Sequence, residues 1–235
     1  MKIRTIYELQ DAIDSEMAWR KHELSAVRSN VSHARKFAKD TAIRAGIALL
    51  YAHWEGTIKN IATYYLEYVS VLGLSYGELK PNFLAVALKY NLQSFEESNK
   101  TTIHTTIVNK VINSHDVKFK IPVESIIKTN SNLNSEIFME IMATVGLECK
   151  EYESSYKLID TVLLQKRNMI AHGERLEALD LDEIRYYEIH DKIFGLIQLF
   201  SNQVSNAAIQ NNICLKIQLN IHSTNRCHME TYTTM

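Results

Sequence analysis

The chain has little that would break a helix. Of its 235 residues only 7 are Gly and 2 are Pro, too few for the many turns of a β-sandwich or barrel, whereas long helices need few breakers. The three cysteines, Cys149, Cys214 and Cys227, are far apart and form no Cys-x-x-Cys pair. That argues against a disulfide framework and a zinc knuckle and fits a reducing cytoplasm. No uncharged stretch reaches the length of about 18 residues that marks a membrane span. The first residues, Met1-Lys2-Ile3-Arg4-Thr5-Ile6-Tyr7-Glu8, carry charge where a signal peptide needs an apolar core. We therefore expect a soluble, cytoplasmic protein. Charge of one sign is also lacking: 26 Lys and Arg against 27 Asp and Glu leave a formal charge of −1. Nonspecific nucleic-acid binding rests on accumulated Lys and Arg, so a generic nucleic-acid coat is disfavoured and any RNA contact must be local. His22, His33, His104, His115, His190, His222 and His228 show no paired-ligand spacing, and no Gly-rich phosphate loop or nucleophile elbow occurs. Neither a metal nor a cofactor is expected.

What is present is helical periodicity. With 46% hydrophobic residues the chain can bury a sizeable core. Ile6, Leu9, Ile13, Met17, Leu24, Val27 and Val31 recur at three, four or seven, the stripe of an amphipathic helix. A second stripe runs from about Ala34 to Leu72 through Phe37, Ile43, Ile47, Leu50, Trp54, Ile58, Ile61, Tyr65 and Val69, and Gly73 and Gly77 close it. Shorter helices are expected at 79–93 and 101–113. Pro122 and Thr129-Asn130-Ser131-Asn132 then mark a loop, and the alternation of Val117, Phe119 and Ile121 suggests a short strand before it. A helix follows from about Ile137 to Gly146. Another, 154–172, has Tyr156, Ile159, Leu163 and Ile170 facing the core, and the last, 180–210, carries Leu181, Ile184, Tyr187, Phe194, Ile197 and Val204. From 211 the period changes to two, with Ile213, Leu215, Ile217, Leu219 and Ile221 alternating. A lone strand needs a partner, either the 117–121 run or the same segment of a second subunit. The chain divides into a helical domain, 1–210, and a tail, 211–235.

The most chemically suggestive run is Arg167-Asn168-Met169-Ile170-Ala171-His172, stopped by Gly173. A guanidinium stays charged and donates a planar fork of hydrogen bonds to a phosphate, Lys166 adds positive potential, and an imidazole at a helix end can take or give a proton. Five residues along an α-helix amount to about 140° of rotation and about 7.5 Å of rise, so Arg167 and His172 do not share one face. A two-fold dimer that juxtaposes two such helix ends would gather two of each residue in one cleft. On the second helix, His53 and Glu55 are candidates to reach that cleft. A surface arginine and a capping histidine account for the same residues without any chemistry.

These residues are not alone. Trp54-Glu55 within Leu49-Leu50-Tyr51-Ala52-His53-Trp54-Glu55-Gly56, then Ser131-Asn132-Leu133-Asn134, then Arg167 to Glu174 resemble, in this order, a prokaryotic defence-associated subfamily of the HEPN superfamily, with its Arg-x4-His signature. The resemblance spans roughly residues 1–205. It implies an all-α fold, a HEPN-like bundle of long antiparallel helices with short extra helices inserted in the middle, to which the alternating C-terminal segment would add a strand. It also implies a metal-independent endoribonuclease acting as a homodimer in antiviral defence or a toxin–antitoxin system. Arg167 and His172 would be the catalytic positions, Asn168 the supporting polar residue, RNA the substrate, and an antitoxin or defence-system protein the partner. The other class of function left open is a catalytically silent HEPN-like dimerisation module that binds RNA, a nucleotide or a protein.

Overall fold

Thr5 starts the first helix through a reciprocal pair of bonds. Its hydroxyl accepts from the Glu8 N–H at 3.2 Å, and the Glu8 carboxylate accepts from the Thr5 N–H at 3.0 Å. This capping box satisfies two backbone donors that the helix itself leaves unpaired. The helix, α1 (Ile6–His33), buries Leu9, Ile13, Leu24, Val27 and Val31. After a turn at Ala34 and Arg35 the chain doubles back as α2 (Lys36–Val71), whose 36 residues make a rod of about 54 Å. The computed structural model describes residues 3–97, 99–175 and 180–215. The expected strand beyond 215 lies outside the described residues.

α7 (Glu183–Ile209) packs against both long helices, and the three form the centre of the molecule. Its start is fixed beside the α1–α2 turn. There Lys39 Nζ donates to the carbonyls of Val31 (2.7 Å) and Ser32 (3.2 Å) and meets Glu183 at 2.8 Å. One cation thus satisfies the carbonyls at the end of α1 and holds the beginning of α7. Close approach depends on Gly46 of α2, where a Cβ would lie 2.6 Å from the Tyr186 ring. Trp54, Ile58, Tyr186, Ile193, Ile197 and Phe200 lie in the core, each fully buried.

Between α2 and α7 come α3 (Pro81–Glu96), α4 (Thr101–Ile112), a 3-10 turn (Val123–Ser125) and α5 (Ser135–Val145). Two isolated antiparallel bridges join the connections, Ser75 with Lys118 and Leu79 with Cys214. The strand expected at 117–121 is therefore a single bridge. The described start of the segment after 211 pairs with the residues ahead of α3: Lys80 N–H donates to Ile213 O and Leu215 N–H to Glu78 O, each at 3.0 Å.

The stretch expected as one helix over 154–172 comprises three geometries. A 3-10 turn (Lys150–Ser155) leads into a π-helical stretch (Leu158–Leu164) and then α6 (Gln165–Ala171). The π stretch buries Ile159, Leu163 and Leu164, but Ile170, expected to face the core, is only half-buried. Turns closed by i→i+5 bonds hold more residues than α turns and shift the phase of everything after them. Phe37 and Ile184, also expected in the core, are 83% and 70% exposed. Each lies in the first turn of its helix, where the apolar phase continues but no neighbouring helix covers it.

Candidate functional site

α6 is short and its end is built by backbone bonds. Gly173 N–H donates to Ile170 O and Glu174 N–H to Met169 O, both at 3.0 Å, with Gly173 at φ +84°. This Schellman closure needs a left-handed residue, which glycine supplies without a Cβ penalty. His172 is the C-cap, bonded through its N–H to Asn168 O at 3.0 Å, and its side chain is exposed.

Arg167, one turn earlier, is half-buried and held from several directions. Its guanidinium carbon stands 4.2 Å from the centre of the Tyr51 ring. One terminal nitrogen donates to Asn168 Oδ1 and the other to the Ser131 carbonyl, each at 2.8 Å, and Glu55 lies 3.9 Å away. The Tyr51 hydroxyl accepts the Leu133 N–H at 2.6 Å, so a single tyrosine supports the guanidinium with its face and the 131–133 loop with its oxygen. Burial, followed by the neighbouring Glu55 carboxylate, pushes the Tyr51 phenol above its ordinary pKa. It remains a neutral hydrogen-bonding group. Asn130 and Ser131 adopt φ of +53° and +54°, turning the Ser131 carbonyl towards Arg167. Asn134 then caps α5 by accepting from Ile137 N–H at 2.8 Å, while Ser135 bonds Asp160 of the π stretch through both its N–H (2.7 Å) and its hydroxyl (2.5 Å). The loop and the π stretch are thus joined behind the arginine.

Of the residues singled out from the sequence, Arg167, Asn168 and Glu55 come together, and His172 follows at the open end of the same helix. Lys166 and His53 do not join them. Lys166 faces the start of α7, where burial lowers its pKa and Asp180 opposes that shift. His53 is buried against α1, where its Nδ1 meets Arg20 at 3.1 Å and its Nε2 meets Glu23 at 2.9 Å. Arginine can only donate, so His53 Nδ1 is the acceptor and Nε2–H the donor to Glu23. Burial, then the Arg20 charge, lowers the His53 pKa against the pull of Glu23, and the ring stays neutral at neutral pH. The same cluster pairs Arg20 with Glu16 at 2.6 Å, and Glu16 also accepts from Asn60 (2.6 Å) and Trp19 (3.1 Å). It is a polar seam between α1 and α2.

The sequence reading did not single out Tyr51. It stands four residues before Glu55, one helical turn on the same face, and that spacing was a usable signal. Chemically, the arrangement offers a guanidinium with two of its five N–H donors engaged in these hydrogen bonds and others able to meet a phosphate. At the end of the same helix is an imidazole exposed to solvent. Among the described residues no group of three or more His, Cys, Asp or Glu could hold a metal ion, and no helix is long and apolar enough to cross a membrane.

A model of the family RiboL-PSP-HEPN matches residues 15–206, a range that runs from within α1 through most of α7 and contains every residue of the site. Neither a search of curated proteins nor one of solved structures returned a match.

Proposed function

Since the chain belongs to the RiboL-PSP-HEPN family of HEPN domains, we propose that it is a metal-independent endoribonuclease that works as a homodimer in prokaryotic antiviral defence or a toxin–antitoxin system. The observation that carries this reading is the hold on Arg167. A solvent-side cation with no function would not need the Tyr51 face, the Asn168 amide and a loop carbonyl turned by two left-handed residues. Such a fixed fork suits charge that develops on a phosphate. In the proposed reaction a ribose 2′-oxygen attacks the adjacent phosphorus, its proton passes to His172, and the bond from phosphorus to the 5′-oxygen breaks. The leaving oxygen takes a proton from the second copy's His172, and the products are a 2′,3′-cyclic phosphate and a 5′-hydroxyl. The geometry of α6 supports the dimer. α6 is α-helical between the two residues, so the offset of about 140° applies and one copy presents its Arg167 and His172 in different directions.

Digestion of RNA in the presence of a chelator, with analysis of the ends, tests the reaction. Cyclic phosphate ends are expected, and both Arg167→Ala and His172→Ala should abolish cleavage and growth arrest while leaving the fold intact. Mixing the two variants should restore part of the activity if each copy contributes to a shared site. A wild-type chain that binds RNA but leaves it intact, with no effect on growth, would replace this reading with that of a silent binding module.

A further inference from the structure

The loop that holds Arg167 also borders a cavity. Asn130, the residue before the Ser131 carbonyl that takes the guanidinium at 2.8 Å, lines a space of about 330 Å³ between α3, the 126–130 segment and α5. Consecutive Cα atoms are about 3.8 Å apart, so the edge of this space lies one residue from the partner of Arg167, within reach of a nucleotide whose phosphate that arginine holds. Part of the lining is apolar: Ile126, Ile127 and Ile141 are buried and Ile137 is half-buried. The rest carries both signs of charge. Lys89 of α3 and Lys128 of the loop are exposed, as are Glu136 and Glu140, which stand one turn apart on the same face of α5. Among the described residues none of these four side chains has an ion pair or a hydrogen bond.

That mixture narrows the ligand. Two lysines oppose a cationic peptide or a metal ion, two carboxylates oppose a simple anion, and the isoleucines favour a ligand with apolar surface to bury. A nucleotide meets all three conditions, with ring faces for the isoleucines, N–H donors for the carboxylates and phosphate for the lysines. We propose that the cavity takes a guanine base of the RNA, from the nucleotide next to the phosphate that Arg167 binds, and so directs where the chain cuts; this rests on the nuclease reading. A carboxylate only accepts, and guanine is the base whose Watson–Crick edge carries two adjacent donors, N1–H and the N2 amino group. Uracil presents one N–H between two carbonyl oxygens, which a carboxylate repels. Lys89 and Lys128 meet the phosphates beside the base. Single-stranded RNA supplies unstacked bases for this kind of reading. The volume, at the lower end of the range for small-molecule sites, suits one base.

Calorimetric titration of the full chain with guanosine, inosine and uridine 5′-monophosphates tests the proposal, together with mapping of the cut sites in an RNA of mixed sequence. The guanosine nucleotide should bind saturably and tighter than about 1 mM. Inosine, which lacks the N2 amino group, and uridine should bind about tenfold or more weaker. Glu136→Ala with Glu140→Ala, substitutions at exposed positions, should bring the guanosine nucleotide down to the affinity of the uridine one. Lys89→Gln with Lys128→Gln should weaken all three alike. Cuts should adjoin guanine in the wild type and lose that preference in the paired glutamate variant. Equal affinity for the three nucleotides, no saturable binding of the guanosine one, binding unaffected by the glutamate pair, or cleavage indifferent to the neighbouring base would each overturn the proposal. The inosine comparison needs no variant, so it decides even if a substitution disturbs the fold. Guanine-selective binding by a chain that cuts no RNA would refute the nuclease reading alone, the guanine site still standing.

Discussion

Tyr51 performs two tasks at once, and substitution can separate them. Tyr51→Phe keeps the ring 4.2 Å from the Arg167 guanidinium but removes the oxygen that accepts the Leu133 N–H. Leu133 is fully buried, so its N–H is left unpaired away from water, at a cost of about 1–3 kcal/mol of stability. Tyr51→Leu loses the same oxygen and also the aromatic face, worth about 1–2 kcal/mol for a partly desolvated guanidinium. If that second quantity is spent on orienting Arg167 in the proposed reaction, cleavage should fall about five- to thirtyfold in the Leu variant. In the Phe variant it should stay close to wild type. The assay pairs urea denaturation with kcat and KM on a defined RNA, the loss in the Leu variant being expected mainly in kcat. A folded Leu variant that cleaves at the wild-type rate would show that the ring does not position the arginine. Equal losses in both variants would assign the role to the hydroxyl and the 131–133 loop.

The seam between α1 and α2 should govern stability rather than chemistry. Glu16→Ala strips the buried Arg20 of its carboxylate, and urea denaturation should show a loss of about 3–5 kcal/mol; a loss below about 1 kcal/mol would mean the guanidinium finds another partner. Because the folded-state pKa of His53 is lowered, the unfolded chain binds the extra proton first. Stability contributed by His53 is therefore fully present above its unfolded pKa of about 6.5 and is lost as pH falls below it. Unfolding free energy measured from about pH 7.5 down to about 5 should drop more steeply in wild type than in His53→Gln, and parallel curves would refute this assignment. Gly173→Ala meets no steric neighbour and should cost about 1–2 kcal/mol through left-handed strain alone, seen as a lower denaturation midpoint. An unchanged midpoint would mean that the end of α6 is not held in this conformation.

The features legible in the sequence were those that depend on local pattern. The long apolar stripes mark α1, α2 and α7 closely and the stop at Gly146 marks the end of α5, because each signal lies within a few residues of what it specifies. The environment of Arg167 was legible in part: Asn168 is adjacent to it, and Glu55 shares the Tyr51 face of α2. His53 is two residues from Glu55, about 200° around the helix, and that angle alone directs it towards α1. Burial at helix ends was not legible. The phase of Phe37 and Ile184 is correct, but periodicity does not record where a neighbouring helix stops. The pairing of Leu79 with Cys214 was hidden as well, since a single bridge leaves no alternation on the Leu79 side.

The π-helical stretch has a consequence for how this chain can change length. Asp160 is tied to Ser135 at one end of it, and the core contacts of Ile159 and Leu163 are fixed to the bundle. The residues that follow keep their place against α2 because the widened turns absorb a residue that a regular helix would pass on as rotation. Deleting one residue between Asp160 and Gln165 would therefore relax the stretch towards α geometry and leave Arg167 over the Tyr51 ring. The same deletion between Arg167 and His172, in regular α-helix, would turn His172 by about 100° relative to the arginine. The π stretch is thus a reserve of length: the chain can give up a residue ahead of Arg167 without taking it out of register, which the turns after it do not allow.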